Sequence, residues 1–291
     1  MNDFPPHMPY VRRGTIASDA VTPETGRTDY VATADKVESP VKGLVVSQTF
    51  VDMSRFIGPV TLATTRVVMV LTGRLVVRHP DGVQTAKPGD VVILRRDVRY
   101  HIEPGSISGQ TVNIDLTASY MTRCGLEEGN LAQAVYSSPG TNLVVLRLAY
   151  GSRHPSDGSL TSSGALITQW MSSSLCNRQM LESRWAKRLR DDMHIHWNET
   201  RTLKELGDIA GCHPVTVAKY FPLYFGCTQR EYMRRLKAEH AIRYLMGTEH
   251  SVTDIAHWCG FSDHSHLTRT LRQLTGTTPA GLRQWKELIT L

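Results

Sequence analysis

A pattern of caps and turns that occurs twice, about 50 residues apart, constrains this chain more than any other feature. The first copy is RTLKELGDIAGCHPVTVAKYF, starting at Arg201. Thr202 with Glu205 three residues later is a capping box that opens a helix. Leu203 and Leu206 supply its apolar stripe, Gly211 ends it, and Pro214 stands where a first helical residue tolerates proline. Gly207, four residues before Gly211, removes the side chain that would keep a second helix from crossing closely over the first. The second copy is SVTDIAHWCGFSDHSHLTRTLRQLTG, starting at Ser251. Here Ser251 and Asp254 make the cap, Ala256 is the small residue, Gly260 the turn, and Ser262 the expected cap of the next helix. Gly226 and Gly276 end the two second helices at corresponding points. Between the copies, Tyr232, Leu236, Leu245 and neighbouring alanines form one connecting helix that Gly247 closes. One copy alone suits a plain helical bundle; two in register define paired helix-turn-helix units, at residues 203–226 and 251–276.

Charge follows the same division. Residues 183–291 hold 16 Lys and Arg against 11 Asp and Glu, whereas residues 1–182 hold 17 against 16. The basic excess is therefore C-terminal, where a polyanion would bind.

The segment DIAHWCGFSDHSHLTRTLRQLTGTTPAGLR, Asp254 to Arg283, resembles the DNA-binding domain of the AraC/XylS family of bacterial transcription regulators. It carries the family's Ile-Ala pair, Gly-Phe-Ser, a Ser-His-Leu step, an Arg and a closing Gly-x-x-Pro. EYMRRLKAEHAIRYLM, in the connecting helix, fits as well. Three departures stand out. Pro222 falls inside the second helix of the first unit and should kink or shorten it. Gln229 replaces a usual proline, and Leu267 and Leu271 stand where aromatic residues are common. The resemblance implies an all-α domain with the two units; the N-terminal strand runs and the Pro88-Gly89-Asp90 turn resemble a cupin-like barrel or sandwich, so the expected fold is an α+β two-domain protein.

In such a domain the early residues of each second helix reach base edges in the major groove. In the first unit these are Val215, Thr216, Ala218 and Lys219, with Val217 and Phe221 turned to the core. In the second they are His264, Ser265, His266 and Arg269. Arg269 leads, because a guanidinium can bridge guanine O6 and N7 or clamp a phosphate. The run His257, Cys259, His264, His266 straddles the turn and matches no zinc spacing. No metal or other cofactor is expected.

Residues 1–40 are rich in Pro, Thr, Asp and Gly and read as an irregular arm. Residues 41–177 read as a cupin-like effector-binding or dimerisation domain with a helical linker, and 178–291 as the DNA-binding domain. Short β-type runs, Leu44–Val51, Val67–Leu71, Leu75–Arg78, Val91–Leu94 and Val112–Leu116, are broken by Thr72-Gly73, Pro80-Asp81-Gly82 and Lys87-Pro88-Gly89-Asp90. Asn142–Tyr150 reads equally as strand or helix. Ala165–Leu175 has a helical stripe, and Leu181, Trp185, Leu189, Met193 and Trp197, spaced by four, share one helix face. In the barrel, Arg66, Arg99, Tyr100 and His101 are the candidate polar contacts for an effector. No His-x-His pair precedes them, so a metal-dependent cupin enzyme is not expected.

No apolar run reaches the roughly 18 to 20 residues that span a bilayer. The N-terminal residues lack a signal core, and the five scattered cysteines form no CxxC pair. A bacterial cytoplasmic, nucleoid-associated location is the expectation. The implied function is an effector-responsive activator with double-stranded operator DNA, a small-molecule effector, RNA polymerase and a second copy of the chain as partners. Two alternatives stay open: a cupin-type enzyme with an accessory DNA-binding module, and a DNA-binding protein without ligand response.

Overall fold

A computed structural model describes residues 33–38, 43–52, 59–79, 82–104, 108–123, 126, 140–153 and 183–287. Nine strands come first: β1 (Thr33–Glu38), β2 (Leu44–Asp52), β3 (Pro59–Thr61), β4 (Thr65–Thr72), β5 (Leu75–His79), β6 (Gly82–Ala86), β7 (Val91–Leu94), β8 (Arg99–Pro104) and β9 (Ser108–Leu116). The helices are α1 (Ala118–Arg123), α2 (Thr141–Arg153), α3 (Arg184–Ile195), α4 (Leu203–Ala210), α5 (Pro214–Phe225), α6 (Gln229–Gly247), α7 (Val252–Trp258), α8 (His264–Thr275) and α9 (Pro279–Glu287). β1 lies within the stretch expected to be an irregular arm, and it pairs antiparallel with β2 from Thr33–Phe50 to Glu38–Val45. The Ala165–Leu175 stripe, Leu181, Pro80 and Asp81 lie outside the described residues.

The strands form two antiparallel sheets, β1-β2-β9-β4-β7 and β3-β8-β5-β6. Strand alternation sends successive side chains to opposite faces, and β4 shows the result most clearly. Val68 and Val70 join Leu75, Val77, Val92, Leu94, Tyr100 and Ile102 in the core between the sheets. Val67, Met69 and Leu71 point the other way and share a second core with helices α2, α6, α7 and α8. At β4 the five-stranded sheet is thus buried on both faces, which explains the unbroken apolar run of that strand.

Helix α2 fills the space between that sheet and the C-terminal domain. Leu143, Val145, Leu146, Leu148 and Ala149 are all buried, and only Arg147 on this stretch is exposed. A helix enclosed on nearly every side has no polar face, so its period is not visible in sequence. This is why Asn142–Tyr150 reads as strand or helix.

The C-terminal domain holds two cores. Leu189, Met193, Leu206, Val217, Phe221 and Phe225 enclose the first unit together with Tyr232 and Leu236 of α6. Ile255, Ala256, Leu267, Leu271 and Leu282 enclose the second, continuous with the core on the sheet. Between α3 and α6 lie two imidazoles, His194 buried and His240 half-buried. His194 Nε2 is 2.9 Å from the Tyr232 hydroxyl, and His240 stacks on Trp197 with ring centres 3.8 Å apart. Burial pushes His194 down to about 3, with Arg190 and Arg243 adding to the effect. It pushes His240 down to about 2, assisted by Arg243 and His194.

Both folded values lie below the ordinary 6.5, so the stabilisation is complete above that pH and is lost as pH falls towards the folded values. At pH 5 each histidine should remove about 2 kcal/mol relative to pH 7. Urea midpoints at the two pH values should show this slope, and a His194→Gln/His240→Gln variant should flatten it. An equal slope in that variant would mean that other groups cause the acid sensitivity.

Candidate nucleic-acid interface

The first unit is assembled by local hydrogen bonds. Thr202 N donates to Glu205 Oε2 at 2.7 Å and Glu205 N donates to Thr202 Oγ1 at 3.3 Å, which completes the capping box. Gly211 closes α4 in the left-handed region, with φ of 69°. A Cβ on Gly207 would lie 2.9 Å from Cys212 O and 3.1 Å from the Pro214 ring, so the close approach of the turn requires glycine there. Leu203, expected on the apolar stripe, is 43% exposed; Leu206, Gly207 and Ala210 form the buried face instead.

Helix α5 starts with Pro214 behind an imidazole cap. His213 Nδ1 accepts from Val215 N at 3.3 Å. An accepting Nδ1 leaves the ring proton on Nε2, which becomes a donor. Val217 and Phe221 are buried as expected, while Val215, Ala218 and Lys219 are exposed and Thr216 is half-buried. Lys219 Nζ also lies 5.3 Å from the centre of the exposed Tyr220 ring. Pro222 does not shorten α5, which runs 12 residues, as α8 does. The proline sits on the exposed side, Phe221 and Phe225 anchor the last turn in the core, and Gly226 N donates to Pro222 O at 2.9 Å. Gln229 takes the first position of α6, where Thr228 supplies the cap.

The second unit repeats the design with one difference. Ser251 Oγ accepts from Asp254 N at 3.1 Å to start α7. Asp263, not Ser262, caps α8: its Oδ1 accepts from His266 N at 2.7 Å. Ser262 instead orders the cap, with its hydroxyl 3.1 Å from both Asp263 Oδ2 and His266 Nδ1. An aspartate accepts the N3 amide with full charge, and the serine before it is free to bond sideways. These bonds, the His266 amide first, hold the Asp263 carboxyl below its ordinary range. His264, Ser265, His266 and Arg269 are exposed, while Leu267, Thr270 and Leu271 are buried. Among the described residues, nothing engages the Arg269 guanidinium.

The fold therefore places all eight sequence-identified residues on α5 and α8, and seven of them are exposed. Sequence reading missed His213 and Asp263 as the caps that orient each helix start, the second having been assigned one place early, to Ser262. Their signal was available: a polar residue directly before a helical proline, and Ser-Asp before a histidine at the fourth position.

The N-terminal candidates separate. Tyr100 points between the sheets and its hydroxyl accepts from Arg95 N at 2.8 Å. Arg99 and His101 are exposed, because strand alternation turns them away from Tyr100 and Ile102. They do not line the sandwich interior. Arg66 binds Asp115 through two bonds of 2.7 and 3.0 Å, and Thr64 adds a third at 3.1 Å. Register pairs Arg66 with Asp115, Val68 with Asn113 and Val70 with Thr111. Thr111, Asn113 and Asp115 therefore share the sandwich-facing side of β9, and all three are buried. Their alternation with Val112, Ile114 and Leu116 was the sequence signal for this polar row.

Residues 206–284 match the family described as a helix-turn-helix domain. The chain is 28% identical over 112 residues to the bifunctional transcriptional activator/DNA repair enzyme AdaA of Bacillus subtilis, a match covering 38% of this chain and 53% of that protein. It is 29% identical over 92 residues to the HTH-type transcriptional activator RhaS of an Enterobacter species, covering 32% and 33%. The chain thus spans about half the length of the first relative and a third of the second. A solved AraC-type regulator from Chromobacterium violaceum is 22% identical, with a TM-score of 0.34, over 35% of this chain and 91% of that one.

Gly207→Ala should destabilise the first unit by about 1 to 3 kcal/mol, the usual result of forcing atoms into a packed crossing. Urea unfolding followed by fluorescence of the tryptophans at 185 and 197 would check it. An unchanged midpoint would mean the crossing has slack that the contact distances deny.

Proposed function

We propose that this chain, whose C-terminal third belongs to the AraC/XylS helix-turn-helix family, is a sequence-specific transcription regulator responsive to a small polar molecule. The observation that carries DNA reading is the pair of recognition helices α5 and α8, whose early residues stay exposed although the N-terminal domain is docked. Arg269 reads guanine or clamps phosphate, Lys219 supplies a phosphate contact, and Val215, 63% exposed, offers an apolar surface to a thymine methyl. The two helix starts differ in charge. α5 opens on an imidazole cap and suits a phosphate, whereas Asp263 brings a carboxylate to α8 and favours a base-edge donor such as cytosine N4.

The responsive part rests on the polar row inside the sandwich. Thr111, Asn113 and the Arg66–Asp115 pair face an otherwise apolar interior, which suits an uncharged or zwitterionic ligand rich in hydrogen-bonding groups. The relatives from Bacillus subtilis and Enterobacter are named activators, others are named only as regulators, and activation is the proposed direction.

Selection of bound duplexes from a random pool, followed by fluorescence anisotropy, tests the reading. Arg269→Ala should weaken binding to the selected duplex by about 1 to 3 kcal/mol and relax one base preference. Lys219→Ala should weaken all sequences alike and lower the salt slope by about 1. Equal affinity for selected and random duplexes at physiological salt would overturn sequence-specific regulation. For the sensing part, a thermal-shift screen of small polar metabolites should find one that stabilises the wild type and fails with Asn113→Ala.

A further inference from the structure

The turn Lys87–Asp90 joins the sandwich to the connecting helix. Its internal bonds, Asp90 N to Lys87 O at 2.9 Å and Lys87 N to Asp90 Oδ2 at 3.0 Å, make it a rigid loop. It rests on α6 so closely that a Cβ on Gly89, at φ of 85°, would lie 3.1 Å from Arg243 Cα and 2.6 Å from its Cγ. Arg243 then grips the loop: its Nε donates to Asp90 Oδ1 at 3.2 Å while its Nη2 donates to Glu239 Oε1 at 2.8 Å. Glu239 carries the contact onward, since its Oε2 accepts from Gly140 N, at the start of α2, at 3.0 Å. Asn142 Nδ2 closes the circuit by donating to Gly89 O at 3.3 Å.

The other end of this circuit is Val70. Its amide donates to Asp90 O at 3.0 Å and its carbonyl accepts from Gly89 N at 2.8 Å. Its side chain points between the two sheets, 1% exposed, beside the polar row of β9. One residue thus faces the sandwich interior with its side chain and holds the loop on α6 with its backbone.

We infer that Arg243 is a positioning residue: through Asp90 and the backbone of Val70, it sets the connecting helix, and with it the second recognition helix, according to what fills the sandwich interior. This rests on the reading of that interior as the sensing compartment. The recognition faces are exposed with the clamp closed, so the clamp acts by setting the helix, not by covering the DNA-reading residues. Arg147 Nη1 to Gln273 O at 2.8 Å, and Arg234 Nη1 to Gln273 Oε1 at 2.7 Å, tie α8 to the same body.

A double-mutant cycle on the full chain tests this without any small molecule. The probe is the duplex that the wild type selects, read by anisotropy. Val70→Ala, which empties space in the interior, should change DNA affinity by about threefold or more, as expected of coupled groups. In an Arg243→Ala background the same change should have almost no effect, and Arg243→Lys should restore part of it. Val77→Ala removes a similar volume from the opposite sheet, with no bond to the loop, and should act equally in both backgrounds. Val70→Ile, which overfills the site, gives a second perturbation if the alanine variant unfolds. Independent effects of Val70 and Arg243, no effect of either Val70 change, or equal coupling from Val77 would each overturn the inference. A failed metabolite screen would leave the clamp standing, and a failed cycle would leave the sensing reading standing.

Discussion

The helix α6 is the member on which the rest depends, because among the described helices and strands it alone contributes to both C-terminal cores. Tyr232 and Leu236 in its first half complete the core of the first unit. Ala238, Ala241, Ile242, Leu245 and Met246 in its second half enter the core shared with the sheet. Small side chains at 238 and 241 keep the helix slim where the N-terminal domain presses on it. Where it faces solvent, Glu231 holds Arg234 and Arg235 at 2.8 and 2.9 Å, pairs worth a few tenths of a kcal/mol each on an open helix surface. The burial does the fixing, and the ion pairs only decorate it.

How much was legible in the sequence depended on the range of the interactions. The two helix-turn-helix units were readable almost residue by residue because caps, tight turns and close crossings are local: Thr202 with Glu205, Gly207 with Pro214, Ser251 with Asp254. Even the error at Ser262 was a shift of one place within a correct cap. Helix α2 was not readable, because the burial that hides its period comes from partners far away in sequence. The strand β1 was missed for a similar reason. TADKVE has no apolar alternation to announce it, and only its pairing with β2 makes it a strand. The interior row Thr111, Asn113, Asp115 was visible as alternation, but which face it served required the register of β9 on β4. Pro222 shows the opposite case, a local rule overridden by the anchoring of Phe221 and Phe225.

The two reading units also differ in how they are held. The second has no core of its own: Leu267, Leu271 and Leu282 sit in one continuous cluster with Met69, Ile114 and Leu146. The first is closed on itself, apart from the half of α6 that it borrows. Charge at the helix starts follows a similar asymmetry, with an imidazole on one and a carboxylate on the other.

That unequal attachment bears on how such a protein can change over generations. Substitutions on α5 disturb a small, self-contained core, so the first unit is free to change its exposed face without disturbing the sandwich. Substitutions beneath α8 are felt in the sheet, so the second unit and the N-terminal domain must change together. The chain divides, in evolutionary terms, into one replaceable helical unit and one that is welded to the N-terminal sandwich.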